Sequence, residues 1–190
     1  TWRLRLIMLI RISGGIQGIK EYLENGKKQG RDFSRDELDE RVILAGDLEA
    51  TDVVIQRMVN DGEKYIHVTI AFKEDEIDRE TMMAVAREFE EFTFAAYDKD
   101  EYSFYTEAHL PKIKSYTNER TGKFVERKPH IHFIIPKINL LSGQHLNPFG
   151  MVEQNEKFID AFQEHGNNKF GFASPKENRR IEFTRESEII

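Results

Sequence analysis

The apolar positions of this chain fall into two periods. Tyr65–Phe72 is a β-branched and aromatic run of strand length, and residues 130–138 form an apolar run interrupted by His130 and His132. Residues 2–12 and 102–109 alternate well enough for two more strands, the first expected to break at Ser13-Gly14-Gly15. Helical spacing appears elsewhere. Ile16, Ile19 and Leu23 line one face of a short helix over 16–24, stopped by Asn25-Gly26. Met82, Val85, Ala86, Phe89 and Phe92 mark the longest helix, over 78–97, and 153–165 reads as another. Asp47 caps a helix to about Asn60, and Asp61-Gly62 turns the chain. Ser34, with Glu37 three residues on, makes a capping box for a short charged helix within 31–41. The segment 111–128 is polar, basic and glycine-containing, and suits a hairpin between two strands. The polar tail from Gly166 suggests no element.

The order β, α, α, α, β, α, β, β, α contains no run of βαβ units. It predicts an α+β domain, a mostly antiparallel central sheet with helices packed on one face, spanning residues 1–190 as one unit. No apolar run is long enough to span a bilayer, and the opening Trp2–Ile10 stretch alternates with arginine and reads as a strand rather than a signal peptide. The absence of cysteine rules out disulfides and thiolate metal sites and suits a cytoplasmic protein. The net charge of −6 argues against nucleic acid until its distribution is considered. Residues 1–35 carry eight Lys/Arg against three Asp/Glu, and residues 108–139 carry seven against two. Residues 36–107 carry seven against 21. Both basic segments hold the candidate chemistry.

That chemistry centres on Pro129-His130-Ile131-His132. Successive strand side chains point to opposite faces, so His130 and His132 share one and Ile131 takes the other. His109 ends the run 102–109. If the two strands pair, three neutral imidazoles converge with coordination positions left open, as at a catalytic rather than a structural metal. Cupins want a carboxylate a few residues on, where Ile135, Pro136 and Lys137 stand, and histidine-triad hydrolases want a third alternating histidine, where Ile134 stands. A carbonic-anhydrase-like geometry stays open to the chain. His67, inside a strand, suits a core or supporting position. His145 suits a turn, and His165 a helix end where it meets the dipole.

Gly14-Gly15 followed by Glu21-Tyr22-Leu23 and a Lys/Gly-rich tail, then His109, Pro129-His130-Ile131-His132 and Asn139, resembles the relaxases of conjugative plasmids. The closest class is the MobA/VirD-like group, and the resemblance covers roughly residues 3–150. The tyrosine precedes the histidine motif, as in relaxases; replication initiators of the same HUH superfamily have the reverse order. The resemblance implies a HUH/relaxase-like fold, related to ferredoxin and RRM sheets, in a protein whose relaxase domain is the N-terminal part of a longer chain. It implies site-specific single-strand nicking and joining at a transfer origin, with Tyr22 attacking the phosphate to leave a 5′-phosphotyrosine. His109, His130 and His132 match the metal triad, for magnesium or manganese, with zinc as an alternative. Auxiliary nicking proteins and conjugative coupling machinery are the implied partners, with origin-of-transfer DNA as substrate.

Two features depart from the family pattern, Pro111 and a long connector. Pro111 stands where an aspartate often follows the first metal histidine, and Glu107 shares the face of His109 only if the strand stays regular. The 20 residues between His109 and His130 make a long connector. Its Lys112, Lys114, Arg120, Lys123, Arg127 and Lys128, with Lys27, Lys28 and Arg31 upstream, are the candidate phosphate contacts, which position DNA rather than read it. Tyr116 and Phe124 are candidates for base stacking. Glu107 and Asn139 are candidates for supporting the triad. Two other classes remain: a three-histidine hydrolase or hydratase with Tyr22 dispensable, and a single-strand-binding module without catalysis.

Overall fold

The computed structural model describes residues 8–151 and 154–170. Its elements are β1 (Met8–Gly15), α1 (Ile19–Asn25), α2 (Arg35–Leu38), β2 (Asp39–Ala45), α3 (Leu48–Arg57), β3 (Tyr65–Phe72) and α4 (Arg79–Thr93), then β4 (Tyr105–Pro111), β5 (Ser115–Thr117), β6 (Phe124–Glu126), β7 (His130–Pro136) and α5 (Asn155–Phe170). Five strands form one sheet in the order β1-β3-β7-β4-β2, and every pairing in it is antiparallel. The strand bearing the alternating histidines is therefore central. β5 and β6 pair separately as a hairpin, as expected for 111–128.

Each sheet face has its own cover. Even-numbered residues of β3 and odd-numbered residues of β7 (Val68, Ile70, Phe72, Ile131, Phe133 and Ile135) pack under Met82, Val85 and Phe89 of α4 and Phe162 of α5. Phe89 sits 4.3 Å from Phe133 and 5.2 Å from Phe162, ring centroid to ring centroid. On the opposite face Tyr65, Tyr105 and Ile134 pack under Ile19 and Leu23 of α1 and Ile55 of α3. Helices thus cover both faces, not one as the element order suggested. Neither α1 nor α3 shows more than two or three buried apolar side chains, so their share of the core is weak in the sequence.

The boundaries follow from caps and charges. The Ser34–Glu37 capping box opens α2, Asp47 accepts from Ala50 N at the start of α3, and Asp78 does the same from Thr81 N for α4. The 31–41 segment is not all helix: its last residues begin β2, a strand absent from the sequence reading because Asp39, Glu40 and Arg41 hide its start. Gly14 and Gly15 do not break β1; they end it, with Gly14 paired to Ile66 and Gly15 to Tyr65. Cβ atoms there would collide with the Glu63 and Tyr65 side chains. α5 runs to Phe170, past the expected end at 165. Residues 2–7 of the first expected strand, the expected helix start at Glu153, and the tail beyond 170 lie outside the described residues.

Candidate active site

The face under α1 and α3 changes character along its strands. One end carries Tyr65, Tyr105 and Ile134, which α1 and α3 bury; the other carries His130 and His132 on β7, Glu107 and His109 on β4, His67 and Thr69 on β3, and Asp39 and Arg41 on β2. Register brings these together: His109 faces His130, Glu107 faces His132, and Arg41 faces His109. β4 is regular here, so Glu107 and His109 do share a face. The three ring centroids lie 4.5–5.0 Å apart. A ligand nitrogen from each of the three lies within 4.8 Å of the others.

Each triad ring is fixed through one nitrogen. His109 Nε2 meets Glu107 Oε2 at 2.5 Å, and Glu107 is in turn gripped by Arg41 (2.8 and 2.7 Å) and by the Tyr105 hydroxyl (2.8 Å). His130 Nδ1 donates to the Lys128 carbonyl at 2.8 Å. His132 Nδ1 meets His67 Nε2 at 2.7 Å. The other nitrogens, His109 Nδ1, His130 Nε2 and His132 Nε2, are buried without a hydrogen-bond partner among the described residues. Three buried, unpaired imidazole nitrogens at one point suit a cation, since leaving them bare costs about 1–3 kcal/mol each. Burial first, then the neighbouring histidines, holds His130 down to about 3 and His132 well below its usual value; burial also lowers His109 and brings His67 to about 4. The rings are therefore neutral at pH 7, the form that binds metal. Glu107 is ionised: burial would raise its carboxyl, but hydrogen bonds from Arg41 and His109 bring it to about 2.

Tyr22 sits half-buried on α1, its ring 6.2 Å from that of His132, edge-on, and 6.5 Å from that of His67. α1 brings it there because Ile19 and Leu23 are buried against the sheet and Gly26, at φ 69°, ends the helix one turn later. Pro111 supplies no carboxylate, yet one is present. Asp39, the register partner of Pro111, places Oδ2 3.7 Å from His109 Nδ1. The sequence reading missed Asp39 and Arg41 with their strand. The available signal was the spacing of two charges, 39 and 41, ahead of Val42-Ile43-Leu44-Ala45. Asn139 is not brought to the triad; it bonds Glu101 and closes its own turn at Leu141 and Ser142. His145 lies in a bridge with Ile138 rather than in a turn, and His165 is inside α5 and bonds Glu88 at 2.9 Å instead of meeting a helix end.

The family model for the nuclease domain of MobA/VirD2-like relaxases matches residues 22–166, the stretch from Tyr22 through all three triad histidines. This chain is a member of that family. It is also 30% identical to the cryptic plasmid protein C of Neisseria gonorrhoeae over 165 residues, 87% of this chain and 69% of that protein. The described part of the relaxase domain contains no helix long and apolar enough to cross a membrane.

Parts of the two basic segments of the relaxase domain meet on one surface among the described residues. The 26–34 loop packs on the β5–β6 hairpin, with Glu119 N donating to Gly30 O at 2.9 Å and Phe33 edge-on to Tyr116 at 6.4 Å. Lys27, Lys112, Lys114, Arg120 and Lys123 are exposed, and Lys28 and Lys128 half-buried. Lys128 pairs with Asp75, and Lys112 Nζ reaches the Asp36 carbonyl at 2.8 Å. Two of the expected phosphate contacts are structural instead. Arg127 is buried, bonding Asp39 Oδ2 and the Leu38 carbonyl at 2.9 Å each; Arg31 is buried against Gly26 O at 2.7 Å and over the Tyr116 ring. Tyr116 is likewise buried in that packing, whereas Phe124 is 66% exposed. Buried arginine and exposed lysine look alike in a basic sequence run, which is why Arg127 and Arg31 were grouped with the rest.

Proposed function

We propose that this domain nicks and rejoins one strand of plasmid DNA at a transfer origin, with Tyr22 as the nucleophile. The observation that carries this reading is the edge-on placement of the Tyr22 ring 6.2 Å from His132, beside three buried histidines with unpaired nitrogens. Tyr22 gives up its hydroxyl proton and the Oη–phosphorus bond forms as the bond from phosphorus to the 3′ oxygen breaks, so that one proton in net passes from the phenol to the leaving oxygen. The products are a 5′-phosphotyrosine and a strand ending in 3′-OH once that oxygen takes up a proton. The phosphodiester energy is kept in the new bond, so a 3′-OH can reverse the step. His109, His130 and His132 would hold one divalent cation, which polarises the scissile phosphate when bound. Three neutral imidazoles favour manganese or zinc over magnesium, which prefers oxygen ligands. Glu107 and His67 fix the tautomers of His109 and His132, and the Lys128 carbonyl does so for His130. Single-stranded DNA would lie across the exposed lysines of the hairpin, with Phe124 offering a stacking surface. Auxiliary nicking and coupling proteins would act on the assembled complex.

The test is a denaturing gel with a labelled oligonucleotide spanning the cognate transfer origin. Wild-type protein with manganese gives a band shifted by the protein's mass, and Tyr22→Phe gives none while still binding the oligonucleotide. Cleavage that persists in Tyr22→Phe without a shifted band would favour a tyrosine-independent hydrolase.

A further inference from the structure

Arg35 opens α2 and is 1% exposed, the largest fully buried side chain among the described residues. Its guanidinium serves three directions at once. Nε donates to the Leu23 carbonyl at 2.9 Å, one terminal nitrogen to the Tyr22 carbonyl at 3.0 Å, and the other to Asp39 Oδ2 at 2.8 Å. Its central carbon lies 5.1 Å from the Tyr22 ring centroid. One of these contacts takes up the Leu23 carbonyl, in the last turn of α1 where a helix runs out of internal donors; the other adds a second donor to the Tyr22 carbonyl, which already accepts from Gly26 N at 2.9 Å. α1 has seven residues, too few to hold its own shape in water. The third contact reaches Asp39, whose same oxygen lies 3.7 Å from His109 Nδ1 and is shared with Arg127 at 2.9 Å.

Resting on Tyr22 as nucleophile, we propose that Arg35 is a positioning residue that fixes the Tyr22 turn of α1 against the histidine triad through Asp39. A buried arginine–carboxylate pair is weak evidence for stability alone. The geometry here goes beyond a pair, because the fork grips the backbone of the nucleophile itself and reaches the carboxylate beside a triad histidine. A lysine at 35 keeps the charge next to Asp39, but its single ammonium cannot reproduce a planar three-way fork. A displacement of about 1 Å at a reacting group is enough to slow chemistry about 100-fold without loss of binding.

The experiment measures single-turnover adduct formation on the transfer-origin oligonucleotide, with oligonucleotide affinity, manganese affinity and thermal unfolding measured on the same preparations. For Arg35→Lys the expected result is adduct formation slowed about 100-fold, with both affinities within about twofold of wild type, since nothing binding DNA or metal has changed. In Arg35→Ala, millimolar guanidinium should restore part of the rate, and it should restore nothing in Tyr22→Phe. A wild-type rate in folded Arg35→Lys overturns the proposal. So does a loss of manganese affinity matching the loss of rate, which would place Arg35 in support of the triad. Loss of cooperative unfolding in both variants overturns it in favour of a purely structural pair. Failure of the wild-type protein to form any adduct would instead remove the nucleophile assignment, a result separate from all of these.

Discussion

Each triad histidine has a different support, so the supports should differ in what their loss does. His67 holds His132 by one ring–ring hydrogen bond and makes no ion pair among the described residues. His67→Phe should weaken manganese binding about 10–100-fold by calorimetry while leaving the fold intact. Glu107 carries His109, Arg41 and Tyr105 together. Glu107→Ala should weaken the metal to the same degree and also lower the unfolding midpoint, because it leaves the Arg41 guanidinium half-buried beside a lost anion. The basic residues divide in the same manner. Arg127→Gln breaks a buried pair with Asp39 and should cost about 3–5 kcal/mol of stability. Neutralising exposed Lys114 and Lys123 should change stability little and reduce the slope of log affinity against log salt by about 0.7 per lost phosphate contact. An unchanged slope would leave the hairpin as a solvated surface. The sequence showed the triad itself because alternation on a strand is a local property. It did not show Asp39 beneath Pro111, which depends on a pairing across strands 72 residues apart.

At the scale of elements, strands with an apolar period were readable: β3 has the expected bounds Tyr65–Phe72, and β7 begins at the expected His130. β2 was not, because its first three residues, Asp39, Glu40 and Arg41, are charged, and Asp39 and Arg41 face the polar end of the site. Nor was the second helical layer, because a short helix with two buried residues, like α1, carries too little periodicity to say which face of a sheet it covers. Gly26 is the left-handed residue that ends α1. It has φ 69°, and a Cβ there would come within 3.0 Å of Arg35 N and 3.1 Å of Arg35 Cα. Gly26→Ala is therefore strained in backbone and contact, and should cost about 1–3 kcal/mol. Since the same contact sets Arg35 against Tyr22, adduct formation should fall further than stability predicts. Equal effects of Gly26→Ala and of an equally destabilising change elsewhere, such as in α5, would argue that α1 is not specially poised.

Among the described residues of the whole molecule, exposed lysines and arginine gather where the 26–34 loop meets the hairpin, a local basic surface compatible with DNA despite the net charge of −6. The buried ionisable groups make the metal-free protein sensitive to acid. The unfolded chain binds protons on histidine near pH 6.5, whereas folded His67 and His130 resist until about 4 and about 3, so stability falls as the pH drops below about 6.5. Asp39 is held at about 2, because the Arg127 hydrogen bond outweighs burial, and Glu107 is held there too; their contribution is lost as the pH falls below about 4. Urea midpoints in chelator should be level above pH 7 and decline steadily to pH 4; a midpoint that rises on acidification would contradict these assignments. The most direct measurement of the central claim is peptide mapping of the covalent protein–DNA adduct by mass spectrometry after nuclease trimming. A phosphonucleotide is expected on Tyr22 and on none of the other five tyrosines. A modified Tyr116, or cleaved DNA with no modified tyrosine, would contradict it.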